Sequence, residues 1–170
     1  MNRIKKNNIA QSLYSFTPVI LLFISVLNEI DFNYSGLKYF SFNFAYILIF
    51  YYNLKKSEGL GFGLVFIAGL LNDVVIGMPI GLSSLTYLLL CGAASYLRNI
   101  TLRPNLMKDC IFFLMTILTL NSLSFLILNF IFSYELNYLD QVINIIFTFT
   151  FYLIFSYFFN LFEGFMRERS

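Results

Sequence analysis

Long apolar runs alternate with short polar breaks along this chain, and the breaks fall near residues 29–38, 55–58, 77–81, 98–108 and 134–140. That pattern predicts six helices, at about 13–28, 39–54, 59–77, 81–97, 110–132 and 142–162. Between Gly59 and Leu97 the apolar sequence is almost continuous, and as one helix it would be about 58 Å long, nearly twice a bilayer core. It must fold back. Gly77-Met78-Pro79-Ile80-Gly81 sets a proline between two glycines, so the third and fourth helices are expected to meet there in a tight hairpin. The second run is only about 24 Å long, thin for a crossing.

Six of the nine glycines lie between Gly59 and Leu85, together with one acid, Asp73, deep in apolar sequence. Helical spacing puts Phe62, Phe66, Gly69, Asp73 and Gly77 on one stripe. In a membrane, glycines on such a stripe admit another helix's backbone, and a carboxylate points at protein or water rather than lipid. The stretch therefore reads as a contact seam or a site, with Gly69, Asp73, Gly77, Pro79 and Gly81 as its residues.

Composition narrows the class. The chain has 170 residues, of which 59% are hydrophobic and 12% charged, and this excludes a soluble globular domain. At roughly 20 residues per crossing, the length holds about six crossings and no separate soluble domain. The expected fold is an all-α integral membrane protein, residues 1–170 forming one polytopic domain with six transmembrane helices.

Charge then orients it. Of the 11 basic residues, only Lys38 falls outside if both termini are cytoplasmic. Lys55, Lys56, Arg98 and Arg103 read as inner-face anchors, with Tyr51 and Tyr52 as an aromatic belt beside them. Arg3, Lys5 and Lys6 precede the first apolar run, but no small-x-small cleavage site follows, so that run is expected to be an uncleaved anchor. A net charge of +2 without a basic block argues against nucleic acid.

Candidate chemistry is sparse. There is no histidine, and Cys91 and Cys110 are isolated, so a zinc site is not expected; a disulfide is disfavoured on the reducing side, and both read as small apolar packing. One intramembrane acid supplies neither the aspartate pair of an intramembrane protease nor the clustered aspartates of a metal-dependent phosphotransferase. No cofactor and no enzyme activity are expected. Asp73 keeps three readings: a proton or cation site, a carboxylate near the outer third of its helix, or a brace on the free N–H groups at the start of the fourth helix. The brace is favoured. Asn121, Asn129 and Asn144 read as interhelical hydrogen-bonding groups.

The hairpin stretch resembles the bacterial rod shape-determining protein MreD family, in which a Gly-rich segment runs into G-L-x-x-D and then G-x-P-x-G-x-x-x-L. The matching residues are Gly61, Phe62, Gly69, Leu70, Asp73, Gly77, Pro79, Gly81 and Leu85, and Leu21-Leu22 after Pro18 suits the first helix. The match covers about residues 54–98. Lys55-Lys56-Ser57-Glu58 departs from it by lacking a proline after the basic residues.

The resemblance implies a non-enzymatic scaffold of the cell elongation machinery in the bacterial inner membrane. It implies binding to the bitopic protein MreC and, through it, to MreB filaments, the RodA glycosyltransferase and a class B penicillin-binding protein. It also implies a fold similar to the S components of energy-coupling-factor transporters. A vitamin-binding or other small-molecule transporter subunit is therefore the alternative. Under the scaffold reading, bulky residues at Gly69 or Gly77 are expected to weaken partner binding.

Overall fold

The computed structural model describes residues 17–27, 42–55, 60–101, 105–133 and 138–167, with side chains through residue 161. Among these the chain is all-helical. The helices are α1 (Thr17–Leu27), α2 (Phe44–Lys55), α3 (Phe62–Ile76), α4 (Leu82–Ile100), α5 (Leu106–Phe130) and α6 (Tyr138–Arg167).

The molecule is built around α2. Every residue from Ala45 to Leu54 is buried, as expected of a helix that is apolar on all sides. Tyr46 packs edge-on against Tyr87 of α4, and Phe50 packs against Phe113 of α5 and Tyr152 of α6. At only about 18 Å, α2 is short, and both its ends are held by protein. At its start the Asn43 side chain accepts from the Tyr46 N–H at 3.1 Å, while the Asn43 N–H donates to the Thr148 hydroxyl of α6. At its end Arg98 of α4 donates to the Asn53 carbonyl at 2.8 Å, placing a cation on orphan C-terminal carbonyls.

These contacts fix the directions. Residues 46 and 53 of α2 meet residues 87 and 98 of α4, and Phe42 and Tyr51 meet Phe151 and Asn160 of α6, so α2, α4 and α6 run parallel. The intervening α3 and α5 run the other way. Lys55 and Arg98 consequently lie at one end of the bundle and the Gly77–Gly81 turn at the other.

Apolar side chains fill the core and also cover much of the described surface. Ser84, Thr86, Thr116, Thr148 and Ser156 are buried, whereas Phe62, Val74, Leu89, Met115, Leu126 and Ile154 are exposed. Several hydroxyls on α5 and α6 bond back to their own helix one turn earlier, as Thr116 does to Phe112 and Thr150 to Ile146. Helices α5 and α6 are long and apolar enough to cross a bilayer; α1 and α3 are apolar but shorter.

Several sequence expectations change here. Tyr51 and Tyr52 are not an aromatic belt: both are buried in the core, against each other and Phe159, and Tyr51 donates to Asn160. The break at 98–108 is narrower than its charges suggest, because Arg98 and Lys108 both sit inside helices. Helix α5 starts at Leu106, where the Asn105 side chain accepts from the Met107 N–H, rather than at the first unbroken apolar residue. Helix α6 starts at Tyr138 rather than Val142. The proposed anchors Lys56 and Arg103 lie outside the described residues.

Candidate functional site: a carboxylate-braced hairpin

Helix α3 ends where glycine lets it end. Gly77 takes the left-handed conformation at φ 74°, and the N–H groups of both Gly77 and Met78 turn back to the Asp73 carbonyl. Pro79 then accepts from Leu82 N–H at 3.2 Å, and Gly81, at φ 103°, opens α4. No side chain of the turn caps α4. Its free N–H groups are met from across the hairpin.

The cap is Asp73. One carboxylate oxygen accepts from the Gly81 N–H at 2.7 Å and the other from the Ser83 N–H at 2.9 Å. The side chain is fully buried. A side-chain carboxyl accepting two backbone N–H bonds at a helix's positive end is a favourable arrangement. Asp73 thus closes α3 with its carbonyl and starts α4 with its side chain, so one residue sets both sides of the turn.

Gly69 sets the distance. A Cβ built there would overlap the Ser84 backbone, meeting its N at 2.6 Å and the Ser83 carbonyl carbon at 2.9 Å, along with the Ser84 Cα. The close approach lets the Ser84 hydroxyl donate to the Phe66 carbonyl at 3.1 Å and the Asn72 amide donate to the Ser83 hydroxyl at 2.9 Å. The two helices are therefore locked at backbone range.

This geometry revises the expected stripe. Gly69 and Asp73 face α4, but Phe62 and Phe66 are exposed; the buried face of α3 runs through Val65, Ala68, Gly69 and Asp73 instead. Gly77 gives no close approach, since a Cβ there meets nothing within 4 Å; its requirement is conformational. The same holds for Gly81. The seam at Gly69 and Asp73 is covered by α4, so it is an internal seam and not a free partner surface.

Of the four basic anchors, Arg98 is half-buried and caps α2, and Lys55 closes the last turn of α2. A second buried acid, Asp109, lies in the first turn of α5 and was not singled out by hydropathy. Its signal was positional: an acid four residues after an Asn cap, where the helix dipole favours it. Asn43 and Asn105 carry the same cap signal.

Chemically, both oxygens of Asp73 are engaged by backbone amides, which gives the side chain a structural role. Among the described residues no three His, Cys, Asp or Glu side chains converge on a metal-sized site. A slot of about 540 Å³ lies between α5 and α6, lined by apolar side chains with Asn121, Ser122, Tyr138 and Gln141. No family model matches this chain, and comparison with curated proteins and with solved structures returns no match.

Proposed function

We propose that this chain is a multi-pass protein of the bacterial cytoplasmic membrane, with six crossings and both termini cytoplasmic. In this reading it is a non-enzymatic, MreD-like scaffold of the cell elongation machinery, binding an MreC-like bitopic protein and so supporting lateral peptidoglycan synthesis. The supporting observation is that the residues carrying the MreD resemblance act together. Gly69, Asp73, Gly77 and Gly81 each do a separate job in one rigid hairpin. A rigid hairpin on an apolar, outward-facing bundle suits a protein whose task is to present helices to other helices.

The orientation draws support from Lys55 and Arg98 sharing one end of the bundle. The short α2 is compatible with a membrane because it is enclosed by protein and its end groups are bonded to α4 and α6. Since α4 covers Gly69 and Asp73, the partner would meet the exposed apolar faces instead, for example Phe62, Phe66 and Ile67 on α3.

The alternative, a ligand-binding transporter subunit with an S-component-like fold, is favoured by the slot between α5 and α6. One preparation tests both readings. Gentle detergent pull-down of the tagged protein from native membranes should recover an MreC-like bitopic protein and wall-synthesis enzymes. Recovery of paired ATPases with a coupling protein, or of a stoichiometric water-soluble metabolite, would overturn the scaffold reading.

A further inference from the structure

The slot between α5 and α6 has defined ends. Phe113 stacks on Tyr152 with ring centroids 4.1 Å apart, and Phe125 meets Tyr138 edge-on at 6.1 Å. From Phe113 to Phe125 the helix rises about 18 Å, and the slot lies along that length. Its polarity is graded. Leu114, Leu118, Ile145 and Phe149 line the half nearer the stacked pair, and the polar groups of Asn121, Ser122, Gln141 and Tyr138 fall in the other half, among Phe125 and Leu126.

We propose that this slot holds one hydrocarbon chain of a bilayer lipid whose head is uncharged or zwitterionic and rich in hydrogen-bonding groups. The length decides against a partner's transmembrane helix, because the slot closes at Phe113 and Tyr152 after about 18 Å, whereas a crossing needs about 30 Å. The gradient matches a lipid, with polar groups toward one membrane face and hydrocarbon toward the middle. The slot's margins are Leu118, Leu126 and Ile146, all exposed on the apolar surface, so it opens sideways to acyl chains.

Charge selects the head. Among the described residues no Lys or Arg lines the slot, and the exposed Asp140 is next to Gln141 at its polar end, so a net anionic head is disfavoured. The amides of Asn121 and Gln141 and the hydroxyls of Ser122 and Tyr138 offer both donors and acceptors. The proposal rests on the membrane placement proposed above and is independent of the scaffold role.

The test measures retained lipid in purified protein, by extraction and mass spectrometry, and lipid rebinding to delipidated protein from mixed detergent micelles carrying dioleoyl phosphatidylethanolamine or dioleoyl phosphatidylglycerol. The wild type should retain about one lipid per chain and rebind the ethanolamine lipid in preference. Leu118→Trp should fill the slot, and the Asn121→Leu, Gln141→Leu pair should remove head contacts; each should lower retention roughly tenfold. Leu153→Trp, on the outer face of α6, should leave it unchanged. If Leu118→Trp does not yield monodisperse protein, the amide pair alone decides.

Equal retention by all variants would mean annular lipid only and would overturn the proposal. Equal rebinding of the glycerol lipid would overturn the head assignment, and a slot filled by a co-purifying polypeptide would overturn the lipid. Absence of the protein from the membrane fraction would remove both this proposal and its premise. Loss of the partner pull-down with lipid selectivity intact would overturn the scaffold reading alone.

Discussion

Helices α3 and α4 form an antiparallel pair, and so do α5 and α6, but they are held by different means. At the first pair Gly69 brings backbone against backbone, and polar groups inside the contact are paired across it: Asp73 with Gly81 and Ser83, Asn72 with Ser83, Ser84 with Phe66. At the second, rings touch at the two ends and a slot of about 540 Å³ lies between. The hydroxyls there bond to their own helix, as Thr116, Ser124 and Thr150 do. One pair is fixed by close backbone approach, the other by side-chain packing with volume left over. Rigidity is therefore concentrated at one hairpin, and adaptability at the other.

The comparison is broken most severely at Gly69. Gly69→Leu should abolish the folded hairpin, and Gly69→Ala should itself cost about 3 kcal/mol, because the obstacle is the Ser84 backbone rather than a movable side chain. Thermal unfolding and the yield of monodisperse protein in detergent check this. A Gly69→Leu protein that unfolds at the wild-type temperature would show that the close approach is not what holds α3 to α4.

Asp73 comes next. Asp73→Ala leaves the Gly81 and Ser83 N–H groups without acceptors in a buried site, for an expected loss of about 2–3 kcal/mol. Asp73→Asn keeps one good acceptor and loses the charge at the helix's positive end, so its cost should be smaller, about 1 kcal/mol. Amide hydrogen exchange at Gly81 and Ser83 reads the brace directly. Faster exchange confined to those two amides and the first turn of α4 is the expected signature; uniform acceleration across α5 and α6 would not be.

Gly77→Ala isolates conformation from contact. A Cβ there meets open space, so only the left-handed φ of 74° opposes it, at about 1–2 kcal/mol. The contrast between Gly69→Ala and Gly77→Ala is the useful measurement, since the two glycines share the sequence stripe but not the physical reason. Equal losses at both would argue that the turn, not the approach, dominates.

How much of this was readable depended on whether a residue's signal was local. Asp73 stood out as an acid in apolar sequence, close before a Gly-Pro-Gly turn, and the unpaired N–H groups at the start of α4 follow from helix geometry alone. The turn at Gly77–Gly81 was readable, but spacing places Gly69 and Gly77 on one stripe and does not separate close approach at the first from left-handed backbone at the second. Tyr51 and Tyr52 misled for a related reason: α2 is apolar all round, so no periodicity tells which side of a tyrosine meets lipid and which meets protein. Helix starts were set by Asn43 and Asn105, whose caps precede the hydropathy edge for α5 and follow it for α2. The capping role of Arg98 was not readable, because its partner, the Asn53 carbonyl, is a backbone atom 45 residues away.

The smallest effect is expected at the second pair, and it is the one that tests whether the slot is real spare volume. Leu118→Phe adds bulk at a position that lines the slot and is already 40% exposed, so no backbone or packed ring has to move. Its effect on unfolding should stay within about 0.5 kcal/mol, in contrast to the loss from a single methyl at Gly69. A comparable insertion at Phe113→Trp, where the ring is fully buried and stacked on Tyr152, should be destabilising by about 1–3 kcal/mol. If Leu118→Phe instead proves as damaging as Phe113→Trp in delipidated protein, α5 and α6 close over the slot in solution. The contrast between a rigid hairpin and a tolerant one would then fail.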